Sequence, residues 1–581
     1  MIQEGHMDRL EAKKINGRTY YYYSEWAWTD GKCRRVWQKY LGTLKNIVKA
    51  VDGGPAPLCA EIFQWGLPIT LWKECCVAEI VKNVDSLCPK RNQGLSIGEY
   101  LVIAAINRAV SPSSKRSMWK WFSQTALLRE FQNVSKSSLT SQRFWDHMDK
   151  IKADTALSIW KNILKGVVKR EKVNLSSVSY DGTNFYTFID TFNDRCEIAK
   201  RGKNKQGRNN LRQINYALFC CEDGQIPLFF DTYEGNRNDA KQFPLMLEKF
   251  HTFLKDVTGK EQDMPRTTLI FDKGNNSIDN FALLDSLDVD FVGSVKLDGH
   301  KDLVQVANDS SVFKPAGEGK LKGTKSFQIR KRVYGCERTL VVTYNQNLFN
   351  AQWLTLQNDI SKSTQNLAML RQKLEDRASG VITKGKKPTV ESVKRQCLKC
   401  LKRQHMKRVV IIEVTENVKG IPVLDYKIDG DALHDLSKTY LGKNILITNR
   451  EDWDDTKIIT AYRSQFLIED VFKEMKDRST GNWWPMLHWT DSKIKVHGLY
   501  CTIAVLIRAL MARRIAQKGL RLPMKRILLE LDGIREVVNI YPRKRRQKVD
   551  RRQSVLSKLS ETQEQLMSIL QLKHRENSVL G

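Results

Sequence analysis

Three short stretches hold side chains that could do chemistry together. In VSYDGTN, Asp181 follows a strand pattern and precedes Gly182. In LIFDKGNNS, Asp272 stands at the carboxyl end of an apolar strand, before Lys273 and Gly274. Carboxylates at strand ends of an α/β sheet face the crevice in which ligands bind. Two of them on adjacent strands can share divalent metal, and oxygen-only ligation selects Mg²⁺ or Mn²⁺ over zinc. Each Asp-Gly alone reads equally well as a turn. The third stretch, YRSQFLIEDVFKEMKDR at 462–478, has helical spacing. At 100° per residue, Tyr462, Gln465, Glu469, Lys473 and Lys476 fall within about 80° of one another. Leu467, Ile468, Val471, Phe472 and Met475 take the opposite side. One face is therefore core, and the other presents a carboxylate among cations and a phenol. A solvated face with Glu469–Lys473 pairing explains part of that stripe but not Tyr462.

Other polar clusters carry weaker signals. Asp231 and Asp239 flank Gly235-Asn236 and read as loop-shaping residues. The run 195–212 has seven basic residues against one Glu, and 384–408 has ten against one. Both suit a DNA backbone, with Lys203, Lys205 and Arg208 as candidate contacts; the alternative is a solvated loop. The pair Cys397 and Cys400 has zinc-knuckle spacing, but no second CxxC follows and only His405 is near, so a helix inside a basic run is the better reading.

The elements that position these residues follow from periodicity. Residues 1–57 read as a small β unit, with RTYYYYSEW and RRVWQKYLG as aromatic strands around a turn at Asp30-Gly31. Their aromatics either pack on one another or contact DNA. Residues 58–170 read as helices and a DNA-end-binding region. The sequence Ser96-Ile97-Gly98-Glu99 is a capping box, and Phe144, Met148, Ile151, Ile159 and Ile163 suggest one amphipathic helix. From Asn174 the texture becomes β-β-β-α-β-α-β, with a hairpin turn at Glu222-Asp223-Gly224, which predicts a mixed α/β sheet covered on both faces. Residues 299–455 interrupt it with further strands and a charged helix at Leu356, Ile360, Leu367, Leu370 and Leu374. Residues 516–581 read as a basic helical tail.

The 581 residues bound the class. The 96 Lys+Arg exceed the 65 Asp+Glu, for a net charge of +31, which points to a polyanionic partner. Apolar residues at 41% allow several cores. No apolar run approaches the roughly 18 residues of a membrane span, and no signal core opens the chain. Scattered cysteines fit reduced thiols in a cytoplasm.

Taken together, the motifs resemble a DDE transposase of the insertion sequence 4 superfamily, in particular its 1634 subgroup. Those proteins carry Asp, Asp and a Glu in a helix with the pattern Y-x2-R-x3-E-x6-K. Tyr462, Glu469 and Lys476 match it, while Gln465 holds the Arg position and Arg463 follows the Tyr. YEGNRND, FDKGNNS and HWTDSKIKVHGLYCTIAVL match as well, and the likeness spans roughly residues 90–515. It implies an α/β, ribonuclease-H-like core at 171–298 and 456–515, interrupted by a β-rich insertion at 299–455. It also implies that Asp181, Asp272 and Glu469 are catalytic and hold two Mg²⁺ ions, with Mn²⁺ as substitute. Tyr462, Gln465, Lys473 and Lys476 are implied as DNA contacts. His488 and His497 would support the core or touch DNA rather than bind metal.

The resulting expectation is a transposase of a bacterial insertion sequence. It would cut double-stranded DNA at inverted-repeat ends and join the freed 3′-hydroxyl to target DNA, as a homodimer on DNA, in the cytoplasm and without a membrane. Two rivals remain: a ribonuclease-H-like nuclease or resolvase without strand transfer, and an inactive DNA-binding descendant, which would have lost an acidic residue.

Overall fold

A computed structural model describes residues 7–29, 32–51, 56–88, 94–132, 134–259, 266–477, 480–543 and 549–574. The chain forms two compact units, one of residues 73–118 and 135–513, the other of 1–72, 119–134 and 514–581.

The larger unit is organised by a ten-stranded mixed sheet. Three antiparallel strands open it: β1 (Ser177–Tyr186), β2 (Arg212–Cys221) and β3 (Pro227–Glu234). Gly224 turns the β2–β3 hairpin with φ 75°, in the left-handed region that favours glycine. Helix α1 (Asp239–Thr258) crosses to β4 (Thr268–Ile270), and α2 (Ile278–Ser286) crosses to β5 (Asp290–Val295). Strands β1, β4 and β5 are parallel neighbours. Every residue of β4 and β5 is buried, as parallel strands covered on both faces require. The expected β-β-β-α-β-α-β order is observed.

The segment 299–455 does two things. It widens the same sheet with β6 (Thr324–Val333), β7 (Cys336–Asn345) and β8 (Lys443–Thr448), in the order β6-β7-β8-β5. It also builds its own core between the 33-residue α3 (Gln346–Ala378), the helix Val390–Cys400 and the hairpin of Val410–Glu416 with Pro422–Ile428. The predicted stripe is the reason: Leu356, Ile360, Leu367 and Leu374 are the buried face of α3. This segment is therefore sheet extension plus helices, more than a β-rich interruption.

Three further helices complete the unit: α4 (Asp455–Arg463), α5 (Phe466–Lys476) and α6 (Asp491–Gln517). The single helix expected over 462–478 is broken at Ser464-Gln465. Ser464 Oγ donates to the Ala461 carbonyl at 2.7 Å, and Gln465 N and Ile468 N bond three residues back. Side-chain back-bonding and the tighter turn end one helix and start the next. The amphipathic helix expected around Phe144–Ile163 is likewise two, Ser141–Met148 and Ala153–Glu171. The Ser96–Glu99 capping box is present in full. Helix α6 is long and apolar enough to cross a membrane, which run lengths alone did not suggest, but 94% of its apolar window is buried inside the protein.

In the smaller unit, Met7–Ile15, Arg18–Thr29 and Lys32–Gly42 form an antiparallel sheet. Tyr22 packs on Tyr40 and Tyr23 on Trp37, so the hairpin does stack its own aromatics. The predicted turn at Asp30-Gly31 lies outside the described residues. The tail is not all helical: Arg535–Tyr541 pairs with Arg551–Leu556 on one side and Cys59–Gln64 on the other. Density of charge in the tail hid the alternation of Val538 and Ile540, which is what a pleated strand needs.

Candidate active site

Register lines up the first side chains. Ser179 pairs with Ile270, and Ile270 with Val292. Asp181, Asp272 and Ser294 each lie two residues further on, so they form a row across three neighbouring strands, roughly 4.8 Å apart. Asp272 stands just past β4 and Ser294 near the end of β5, but Asp181 lies mid-strand, because β1 runs on to Tyr186 rather than ending before the Asp-Gly. Tyr462, near the end of α4, closes over this row. Its hydroxyl lies 2.8 Å from Ser294 Oγ and 3.4 Å from Asp272 Oδ1.

Helix α5 covers the same face of β1. Lys476 Nζ donates to Thr183 Oγ1 and lies 5.5 Å over the Phe185 ring. Alternation puts Asp181 and Thr183 on this face and Gly182 on the other. Phe185 stacks at 4.0 Å on Trp483, fixing the floor beyond. Burial pushes the Lys476 ammonium down to about 8, and the nearby charge of Lys205 adds to it. Glu469 is exposed on the face that carries Lys476, two turns nearer the start of α5.

Lys205 reaches the site by a pinned loop. Asn184 on β1 donates to the Lys203 carbonyl and accepts from Lys205 N at 3.1 Å. Lys205 Nζ then donates to the Gly182 carbonyl at 2.6 Å. Asn204, buried beneath, accepts from Gln206 N and Arg208 N and donates to Gln213. Burial raises the Asp181 carboxyl to about 6; Lys205 and the Gly182 N–H oppose that push, while Asp239 and Asp272 add to it.

An oxygen-only donor set around a buried carboxyl that resists ionisation fits a hard divalent cation. Among the described residues, no three His, Cys, Asp or Glu side chains close to shared-ion distance. The carboxylates ring the end of the sheet without converging.

The sequence profile of the family described as transposase DDE domain matches residues 178–505, from β1 into α6. The chain belongs to the transposase DDE domain family. No curated protein matches it. Among solved structures it is similar to a piggyBac transposase synaptic complex with hairpin DNA, at 10% identity over 80% of this chain and 79% of that one, with TM-score 0.35. A Mos1 transposase paired-end complex with left transposon end matches at 11% identity over 35% of this chain and 60% of that one, with TM-score 0.14.

The other predicted residues of this transposase fall out variously. Gln465 is 8% exposed, so it does not present to the surface. Arg463 is held by the Lys320 carbonyl and Thr324 Oγ1, away from the row of carboxylates. Lys473 is exposed and pairs with Asp470 at 2.9 Å rather than with Glu469. Lys203 and Arg208 are exposed on the pinned loop. Arg212 is internal to it: its guanidinium donates to the carbonyls of Asp190, Asn193, Cys196 and Ala199. Asp231 pairs with Lys249. Cys397 is in the core beside α3, where burial pushes its thiol up to about 11. Sequence reading assigned no role to Thr183 and Tyr233, although they stand in VSYDGTN and YEGNRND, and none to Ser294.

His488 and His497 are core residues. Both rings reach the Tyr500 hydroxyl, and His497 Nε2 lies 2.9 Å from the Trp483 carbonyl. Burial first, and then Lys115, Arg108 and Lys493, push His488 down to about 3; His497 is also far below the usual imidazole range. The folded state thus keeps both neutral while the unfolded chain binds protons below about pH 6.5. Stability is therefore full above that pH and falls as pH drops, by about 1.4 kcal/mol per pH unit per histidine. In urea unfolding at pH 7.5, 6 and 5, His488→Gln should lose about one proton's worth of this slope. A slope equal to wild type would contradict the assignment.

Proposed function

We propose that this transposase excises and inserts a bacterial insertion sequence, using Asp181, Asp272 and Glu469 on a ribonuclease-H-like core. The observation that carries the reading is the row of Asp181, Asp272 and Ser294 across adjacent strands, closed by Tyr462 and Lys476. The strand order β3-β2-β1-β4-β5, antiparallel and then parallel, supports the ribonuclease-H-like assignment.

Asp181 and Asp272, with Glu469 from α5, would hold the divalent ions, two Mg²⁺ or Mn²⁺. Such ions supply Lewis-acid activation of the phosphoryl group and of the attacking oxygen. The protein's own part is positioning. Tyr462 orients Asp272, Thr183 orients the Lys476 ammonium, and the Asn184 contacts hold Lys205 beside Asp181. Lys205 and Lys476 then offer two cations to the oxygens of one phosphate. Water cuts the strand first, and the freed 3′-hydroxyl takes its place on target DNA. No side chain forms a covalent bond to DNA in this scheme. We place the reaction in the cytoplasm, on paired ends held by a homodimer.

The test is incubation of the full protein with terminal-repeat oligonucleotides, plasmid and Mg²⁺, followed by sequencing of junctions. Oligonucleotides joined at their 3′ ends support the reading; plasmid nicking alone favours the nuclease.

The exposed cations of the pinned loop should track phosphates and not bases. Lys203→Ala with Lys205→Ala should weaken binding to terminal-repeat and random DNA by similar factors. The slope of log K against log salt should also flatten by up to about 0.9 per lost contact. An unchanged slope leaves these lysines as solvated surface, and loss confined to the terminal repeat makes them base readers.

A further inference from the structure

One carboxylate from outside the expected trio also acts on Asp181: Asp239, the first residue of α1. Its sequence context, YEGNRND, reads as a loop, yet three observations bring it to the centre.

The first is the way the start of α1 is anchored. Asn238 caps the helix, accepting from Ala240 N at 2.9 Å, so the Asp239 carboxylate is not the cap. Asn280 Nδ2 bonds both the Ala240 carbonyl, at 3.1 Å, and the Asn275 carbonyl, at 2.6 Å. Asn275 N in turn donates to the Asp272 carbonyl at 3.1 Å. The start of α1 is thereby tied to the loop that carries Asp272.

The second is the gap at Gly182. A side chain there would place its Cβ 3.6 Å from Asp239 Oδ1 and 3.3 Å from Tyr233 Oη. Glycine leaves that space open, so Asp239 approaches β1 at Gly182, the residue that follows Asp181, from the α1 side, as Glu469 stands on the α5 side.

The third is an unanswered polar atom. Tyr233 is 4% exposed, and its hydroxyl has no hydrogen-bond partner among the described residues although it points into the same gap. Buried phenols ordinarily have a partner. Asp239 itself makes no side-chain hydrogen bond or ion pair among those residues. A free carboxylate and a free buried hydroxyl thus face one opening at Gly182 on β1.

We propose that Asp239 is a working carboxylate of the centre, which holds the divalent cation together with Asp181 from the α1 side, with the Tyr233 hydroxyl supporting it. This rests on the reading that Asp181 and Asp272 hold that cation. The competing account is that Asp239 only favours the start of α1, where a negative charge suits the helix dipole. That account predicts a small drop in melting temperature and nothing else.

Mn²⁺ binding to the full protein without DNA, by titration calorimetry and by the electron spin resonance signal of free Mn²⁺, separates these. Asp239→Asn should weaken Mn²⁺ binding at least tenfold and end cleavage at least a hundredfold. Circular dichroism and affinity for terminal-repeat DNA should stay within twofold of wild type. Asp231→Asn, whose carboxylate is engaged by Lys249, should change neither. If Asp239→Asn binds Mn²⁺ as wild type does and cuts within threefold of it, while Asp181→Asn loses the ion, the proposal is overturned and the centre stands. If Asp181→Asn and Asp272→Asn also bind normally, the carboxylate reading of the centre fails with it. Asp239→Ser, a residue favoured at helix starts, replaces the asparagine should that variant not fold; failure of both to fold makes Asp239 structural and overturns the proposal.

Discussion

Asp181→Asn and Asp272→Asn should each lower end cleavage on the order of a thousandfold or more, about 4 kcal/mol of transition-state stabilisation, while terminal-repeat binding stays within threefold. Asp181 stands mid-strand on β1 and Asp272 just past the end of β4, and neither side chain bridges to a neighbouring strand's backbone. Among the described residues, the Asp181 side chain bonds only its own neighbour Gly182 N, and that of Asp272 meets only the Tyr462 hydroxyl. Asparagine is isosteric with aspartate, so the fold should survive and the charge alone is removed. Glu469→Gln should behave alike. If the three act as one unit, the triple variant is little worse than any single one. Any one of them cleaving within tenfold of wild type removes that residue from the chemistry.

Chelation is the second large effect. An oxygen-only donor set predicts no detectable cleavage in EDTA and full recovery with Mg²⁺ or Mn²⁺, with no requirement for zinc. The one thiol pair with zinc-like spacing does not compete for that role. Cys397 lies in the core beside α3 with a thiol pushed up to about 11, and His405 lies edge-on to Tyr440. Cleavage assayed across metals, with zinc content measured on the same preparation, decides it. Activity that tracks stoichiometric zinc and survives Mg²⁺ withdrawal would refute the donor set.

The sequence carried the strands and their order because parallel strands buried on both faces read as short apolar runs, and DKG ends one of them; DGT, read as a strand end, lies inside β1. It carried Tyr462 and Lys476 through helical spacing. It could not carry the break at Ser464-Gln465, which arises from a hydroxyl bonding back to the preceding turn. That break buries Gln465, so a stripe drawn on one ideal helix overstates what reaches the surface. Nor could it separate Arg212 from its basic neighbours, since only tertiary structure shows four carbonyls around one guanidinium. Asp239 was illegible for a similar reason. Its neighbours Gly182 and Tyr233 are distant or unremarkable in sequence, and the side chain that is missing at Gly182 is what lets them meet.

The most direct measurement uses pre-cut terminal-repeat DNA with either a 3′-hydroxyl or a 3′-deoxy end, mixed with plasmid, Mg²⁺ and the full protein. The account predicts that both ends are bound equally, that only the 3′-hydroxyl end is joined to plasmid, and that Asp272→Asn joins neither. Joining of the 3′-deoxy end, or plasmid nicking without any joining of the 3′-hydroxyl end, would contradict it.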